Sequence, residues 1–567
     1  MFALGVNSVY HESAAAIVAD GRVVAAAEEE RFTRRKHGKP ARVENAHDLP
    51  VHSIAYCLAE AGIAGADVDR IAYSFDPEIR ERHFAYDAHS KPGDWGDPQG
   101  EAVFRSSLAQ VPDALADVLG GPVRDRLVWV PHHLAHAASA YYPSGFRDAA
   151  ILVVDGIGEA SCGLMASGEG TRIRRLREIA YPDSLGFLWE KLSRYLGFSE
   201  YDACKVMGLA AYGDARAGRA RFERFVHVGA DGFTLDPNVL VFRLDSFDGL
   251  EALLGPRRKR GDPVEPRHAD IAAALQCCTN EIALTLVRAL YAERPSRNLC
   301  LAGGTSLNCT SNWLIKERGP FEEIFIPSAP HDAGTAVGAA LFMTPRRHGS
   351  PAVRNGCASA YLGPVYDDGA IAAALREFNL APRRSDDVAA EAAELLAAGK
   401  IVGWFQGRME FGPRALGNRS LLADPRDPAS RERMNRQVKR RETFRPFAPS
   451  VLEERSDAWF EIGRESPSYD YMLFACPVRA DKIARIPAVT HVDGTARIQI
   501  VRRAVNPRFH ALIARFEELT GVPLVLNTSF NDNEPIVCSP ADALRTFVQT
   551  GIDALAVGDF IVTGGHA

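Results

Sequence analysis

Twice along this chain an apolar strand runs into a short polar turn and straight back into a second strand. Residues 2–30 give "FALGVNSV", a turn at "HESA", "AAIVADG" with an Asp-Gly hairpin signal, and "RVVAAAEEE". Residues 149–167 repeat the unit as "AAILVVDGIGEASCGLMAS". A further apolar strand, "NLCLAGGTSLN" at 298–308, runs through Gly303-Gly304 into a helix, and "PSAPHDAGTAVGAALF" at 327–342 reads as a loop before a small-residue helix. Turns rich in Gly and Asp, with a Gly-Gly loop opening a helix, suit a nucleotide held by backbone N–H groups; the same pattern is also compatible with ordinary hairpins.

A chain of 567 residues is too long for one hydrophobic core, which stops growing near roughly 250–300 residues. Arg, Gly and Pro without periodicity at 350–365 mark a linker, which divides the chain into 1–355 and 356–567. Beyond it, "DVAAEAAELLAAGKIVGWFQG" reads as helix then strand, with later strands at "ARIQIV" and "VPLVLNTSF", so the second domain is also α/β. The net charge of −6 gives no general reason to expect nucleic-acid binding. Neither a signal peptide nor a bilayer-spanning apolar run is visible, and ten scattered cysteines without a CxxC pair argue against a cysteine zinc site or disulfide framework. A reduced, cytoplasmic enzyme with no membrane partner is the expected class.

Three of the sixteen histidines crowd into "PHHLAHAASAYYPSG", 131–145, which looks helical. His132 and His136 are four residues apart and share a face. Such a pair supplies half a metal shell if carboxylates arrive from elsewhere, or else two locally hydrogen-bonded imidazoles. From Gly407 to Arg445 the chain carries eleven Arg or Lys against five Asp or Glu. Gly and Pro interleave with these cations, so a folded loop is expected over a solvated face. Arginine forks match phosphate oxygens, which favours a small phosphorylated anion over a nucleic-acid backbone. Pro413-Arg414 stands where a P-loop needs Lys-Ser/Thr, so this is not a Walker A motif.

These stretches, with "VYHESAAAIVADGRVVAAAEEERFTRRKHG", "KVMGLAAYG", "EFGPRALGNRS", "KRRETFRPFAPSV" and "LNTSFN", resemble the O-carbamoyltransferases of the nodulation protein U, cephalosporin hydroxymethyl and tobramycin type over nearly the whole chain. The resemblance implies an actin-like (sugar-kinase) nucleotide- and metal-binding transfer domain followed by a YrdC-like, adenylate-forming domain. It implies that carbamoyl phosphate and ATP yield carbamoyl-adenylate, whose carbamoyl group passes to a hydroxyl of a small-molecule natural product, as in antibiotic tailoring. It places a divalent metal, iron foremost with manganese or magnesium as alternatives, on His132, His136, Asp155 and Asp332, and leaves His133 structural. The nucleotide is expected near Gly156, Gly158, Lys205, Gly208, Gly303, Gly304 and Asn308. Carbamoyl phosphate is expected among Arg414, Lys439, Arg441, Arg445, Arg497, Ser529 and Asn531, with Arg414 and Lys439 catalytic.

His11, in the turn of "VYHESA", is the expected general base on the acceptor hydroxyl, since an imidazole titrating near neutrality suits removal of an alcohol proton. Nothing local assigns a task to "EEERFTRRKHG". Two other readings compete: an actin-like small-molecule kinase with an appended anion-binding domain, and a tRNA-modifying carbamoyl-adenylate enzyme. The resemblance implies an acceptor among aminoglycosides, macrolides, cephems and lipo-oligosaccharides.

Overall fold

Strand β1 (Phe2–Asn7) is buried at all but its first residue and pairs antiparallel with β2 (Ala14–Ala19), which pairs antiparallel with β3 (Arg22–Glu28). Asp20 and Gly21 close the second hairpin with φ of 49° and 84°, the conformation for which the Asp-Gly signal is selected. On the other side of β1, β4 (Arg70–Tyr73) and then β5 (Leu127–Trp129) add in parallel, giving the order β3-β2-β1-β4-β5. A second sheet repeats this order and sense. Its antiparallel strands β6 (Asp148–Val154), β7 (Ser161–Glu169) and β8 (Arg172–Ala180) are extended beyond β6 by parallel strands Asn298–Ala302 and Glu323–Phe325. The computed structural model, which describes residues 1–84, 87, 89–344, 359–442 and 444–564, thus contains the duplicated sheet of the actin-like fold.

Two helices of small residues pack closely in this unit. His132–Tyr141 is buried along its entire length, and Ala333–Met343 is buried from Ala333 to Leu341. A Cβ on Gly338 would stand 1.8 Å from the Ala135 carbonyl oxygen, so only glycine permits this approach of the two backbones. The chain as a whole divides into two compact units, one of residues 1–29 and 37–344 and the other of 30–36 and 359–564. The expected boundary at 355/356, and most of the expected linker, lie outside the described residues.

The second unit is built on an eight-stranded mixed sheet. Its order is Arg383–Arg384, Phe560–Thr563, Ala554–Val557, Val402–Phe405, Arg419–Ala423, Leu524–Ser529, Ala448–Leu452, Gln499–Val501. The expected single strand "ARIQIV" is two. Thr495–Arg497 pairs with Ala475–Pro477 in a separate ribbon, whereas Gln499–Val501 joins the large sheet. Fully buried Ile498 lies between them, where the chain passes from one sheet to the other. No helix among the described residues is long and apolar enough to cross a membrane.

Candidate metal centre and anion site

The helix His132–Tyr141 starts against the β6–β7 turn. Glu159 in that turn accepts hydrogen bonds from the backbone N–H of His132 at 2.8 Å and of Asp76 at 2.9 Å. It therefore satisfies an orphan donor at the helix N-terminus and fixes how far the histidines reach. From this helix His132 Nε2 and His136 Nε2 each lie 3.2 Å from Asp155 Oδ2, and 3.6 and 3.5 Å from Asp332 Oδ1. Asp155 follows directly on β6 and opens the β6–β7 turn, and Asp332 precedes the small-residue helix. All four residues are buried, and their ligand atoms lie within 4.8 Å of one another.

Burial alone would lower both imidazole pKa values, but hydrogen bonds to the Asp155 and Asp332 carboxylates outweigh it and raise them. The reciprocal contacts outweigh the effect of burial on the two carboxylates and hold them below the usual range. The donor set fits a divalent cation: two imidazole nitrogens and two carboxylates, neutralising by their own charge. His132 Nδ1–H donates to the Ser74 carbonyl at 3.3 Å, which leaves Nε2 as its ligand atom. Asp155 Oδ1 accepts the Gly304 N–H at 3.0 Å, so the Gly-Gly loop orients a ligand of the cluster. Gly303 has φ 88°, and a Cβ there would strike the Val154 carbonyl at 2.2 Å.

His133 points elsewhere: its Nδ1 meets Ser161 Oγ at 3.0 Å, and burial, reinforced by the charge of His132, lowers its pKa to about 3. His11 stands with Nδ1 3.9 Å from Asp332 Oδ2. Its turn is held by the Asn7 amide, which donates to the carbonyls of His11 and Glu12 at 3.1 and 3.0 Å. Glu12 receives His37 Nδ1 at 2.5 Å.

The remaining glycines and polar residues expected around a nucleotide are divided. Gly156 and Gly158 belong to the β6–β7 turn, where the Gly158 carbonyl accepts from the Tyr10 hydroxyl at 2.7 Å and the Gly156 carbonyl accepts from Ser184 Oγ at 2.6 Å. Lys205 and Gly208 share helix Ala203–Ala210, with Lys205 paired to Asp202 at 3.1 Å. Asn308 caps helix Cys309–Arg318 and exchanges hydrogen bonds with Gln276. Sequence reasoning missed Glu159 and also Glu190, whose pKa burial raises to about 7 against the opposing fields of His11 and Arg243. Glu159 lies in the β6–β7 turn and Glu190 within helix Leu185–Tyr195, and neither position carries a local signal in the sequence.

In the second unit Lys439 is 3% exposed, and its ammonium is caged by one turn. It donates to Ser529 O (2.6 Å), Ser529 Oγ (3.2 Å), Asn531 O (2.8 Å) and Asn531 Oδ1 (2.6 Å). Burial, then the charges of Arg441 and Arg445, push its pKa well below the ordinary lysine value, with Asp532 opposing. Arg441 is steadied by Asn435 Oδ1 at 2.8 Å and lies over the Phe447 ring. Arg414 sits on the 407–418 loop, while Arg497 ends the strand of the separate ribbon. Several cations of the basic island are structural. Arg419 is fully buried and donates to the carbonyls of Gln406, Gly407, Asn418 and Pro364. Arg426 pairs with Asp424, and Arg433 with Asp553.

Residues 3–341 match the family described as "Carbamoyltransferase N-terminus", and 393–564 match "Carbamoyltransferase C-terminus". The chain belongs to the carbamoyltransferase family. It is a transferase, and it therefore has a carbamoyl donor and an acceptor. It is 41% identical over 565 residues to nodulation protein NolNO of Sinorhizobium fredii, covering 98% of this chain and 79% of the relative. It is 43% identical over 437 residues to nodulation protein NolO of Bradyrhizobium diazoefficiens, covering 76% and 78%. Among solved structures, full-length HypF in the phosphate- and nucleotide-bound form is similar at 13% identity and TM-score 0.33, over 60% of this chain and 55% of that one.

Proposed function

We propose that this carbamoyltransferase uses carbamoyl phosphate and ATP, through carbamoyl-adenylate, to carbamoylate a hydroxyl of a small-molecule natural product. The observation that supports this most is the buried Lys439 ammonium, held by oxygens without formal charge beside Arg441 and Arg445. Such a group is suited to a compact dianion.

In this reading Lys439, Arg414, Arg441, Arg445, Arg497 and the Ser529–Asn531 turn bind carbamoyl phosphate in a YrdC-like domain. Water cleaves the carbamoyl–phosphate linkage, giving carbamate and inorganic phosphate. A carbamate oxygen then attacks the α-phosphorus of ATP, and pyrophosphate leaves. Carbamate decomposes readily in water, which favours keeping these steps in an enclosed protein. In the first unit His132, His136, Asp155 and Asp332 would hold a divalent metal, with iron, manganese and magnesium all compatible with the donors. When bound, it supplies positive charge that offsets phosphate oxygens. His11 takes the proton of the acceptor hydroxyl as that oxygen bonds to the carbamoyl carbon, and AMP departs.

The test is incubation with labelled carbamoyl phosphate and ATP against a panel of hydroxylated natural products, with mass spectrometry of products and nucleotides. Carbamoylated product with AMP and pyrophosphate is expected. Release of ADP with a phosphorylated product would replace this reading with a kinase. His11→Ala should lower product formation by about 10²-fold or more while carbamoyl-phosphate-dependent pyrophosphate release, measured without acceptor, persists. Loss of both together would remove His11 from the role of base.

A further inference from the structure

The stretch "ERFTRRK", residues 30–36, belongs to the second unit although its chain neighbours Glu29 and His37 belong to the first. It opens as one helical turn, Glu30–Thr33. Arg31 is 3% exposed and donates from Nη2 to the Gly412 carbonyl at 2.9 Å. Gly412 has φ 123° and is followed by Pro413 and Arg414, so this bond fixes the backbone two residues before Arg414.

Arg34 turns the chain with φ 60° and reaches a different loop. Its Nη1 donates to Ile536 O at 2.7 Å and its Nη2 to Pro535 O at 2.6 Å. Glu534 at 3.3 Å and Asp542 at 3.7 Å balance its charge. Those carbonyls lie on the return arm of the loop that cages Lys439. Val537 N–H donates to Phe530 O at 3.0 Å, and the Asn531 amide donates to Glu534 O at 2.6 Å, so the return arm and the Ser529–Asn531 turn are tied together.

We propose that residues 30–36 form a strap that sets the anion site of the second unit, with Arg31 positioning the Arg414 loop and Arg34 positioning the Ser529–Asn531 turn. The strap rests on the carbamoyl-phosphate reading above. A guanidinium that spans two successive carbonyls does something lysine cannot reproduce, since an ammonium is a point donor. Lys36, exposed at the end of the strap, adds its field to that acting on Lys439.

The experiment titrates the full-length protein with carbamoyl phosphate and, separately, with ATP by calorimetry, for wild type, Arg34→Lys, Arg34→Ala and Arg31→Lys. The same proteins are assayed for KM and kcat in carbamoyl-phosphate-dependent pyrophosphate release, and melted to confirm folding. Arg34→Lys keeps the charge beside Glu534 and Asp542, so it serves if the alanine variant does not fold. Misplacing the turn should weaken carbamoyl-phosphate binding by about 10–100-fold in Arg34→Lys and Arg31→Lys, raising KM more than it lowers kcat, with ATP affinity unchanged. Folded variants that bind carbamoyl phosphate within about twofold of wild type, with only Tm or kcat reduced, would make the strap merely structural and overturn the proposal. Wild-type protein that binds ATP but no carbamoyl phosphate would instead overturn the carbamoyl-phosphate reading, and the strap's role with it.

Discussion

His132 and His136 in the first unit face two carboxylates, whereas Lys439 in the second faces four oxygens without formal charge. Both groups are buried, but the first meets opposite charges at contact distance, whereas around the second the fields of Arg441 and Arg445 outweigh that of Asp532. In the histidine cluster each desolvated charge already has an opposite one, so a cation enters by taking the place of the protons on the imidazoles. Around Lys439 the neighbouring Arg441 and Arg445 add charge of the same sign. Ion–dipole contacts steady that ammonium without neutralising it, and in the proposed reading the carbamoyl-phosphate dianion supplies the opposite charge. In the histidine cluster opposite charges meet one another; around Lys439 the cations act more strongly than Asp532.

The most severe test of this contrast is Lys439→Met. The variant should lose about 10²–10³-fold in carbamoyl-phosphate affinity, the scale for truncating one partner of a buried hydrogen-bonded charge pair. Calorimetry on the intact chain checks it. Binding within a few-fold of wild type would mean that the surrounding arginines carry the anion and Lys439 only ties the turn together.

His136→Ala attacks the other half of the comparison. Metal affinity should fall by at least about 10²-fold, because losing even an outer partner of a ligand costs about 10–100-fold. Elemental analysis after dialysis should find near one divalent ion per wild-type chain and little in the variant. Equal content in both would leave the cluster as a buried ion-pair network.

How much of each site could be read beforehand follows from how local its signals are. The i, i+4 histidines lie on one helix and were visible as a pair. Asp155 and Asp332 are 177 positions apart, and only the return of the chain through the second sheet brings them together. Their assignment came from resemblance alone. Strands with Asp-Gly turns and the small-residue helix were legible because turn chemistry and side-chain size act within a few residues. By contrast, Glu159 acts through the end of another element, and the partners of Arg34 lie 501 and 502 residues away. The split of "ARIQIV" was hidden because both halves have strand propensity and only tertiary pairing separates them. The basic island was legible as a cluster but not in its division of labour, since Arg419 serves carbonyls of its own loop.

A smaller effect separates the two sites by pH. Lys439 has a folded-state pKa below its ordinary value, and a bound dianion would raise it again. Above the free-site pKa, binding carbamoyl phosphate must therefore take up a proton, and affinity should improve by up to about tenfold for each pH unit lowered. Working above neutral pH keeps the phosphoryl group dianionic, because its second pKa is about 6. Calorimetry in buffers of different ionisation enthalpy should show proton uptake in wild type and none in Lys439→Met. Proton release would reverse the sign and contradict an ammonium that is destabilised in the free site.

The smallest expected effect concerns the support of the histidine pair. Glu159 accepts the His132 N–H and the Asp76 N–H, and burial raises its pKa against the field of His132 and these hydrogen bonds. Glu159→Gln keeps an acceptor of the same shape, so it should preserve the cap and change stability little. Glu159→Ala leaves the buried His132 N–H and the half-buried Asp76 N–H without it, which should cost about 1–2 kcal/mol, the scale of a lost helix cap. Denaturant melts of both variants check this. Because the cap also sets how far His132 reaches toward Asp155, the alanine variant should bind metal more weakly than the glutamine variant, by less than His136→Ala does. If the two Glu159 variants were equal in stability and metal content, the position of the helix would be set by the close packing at Gly338, with Glu159 along for the ride.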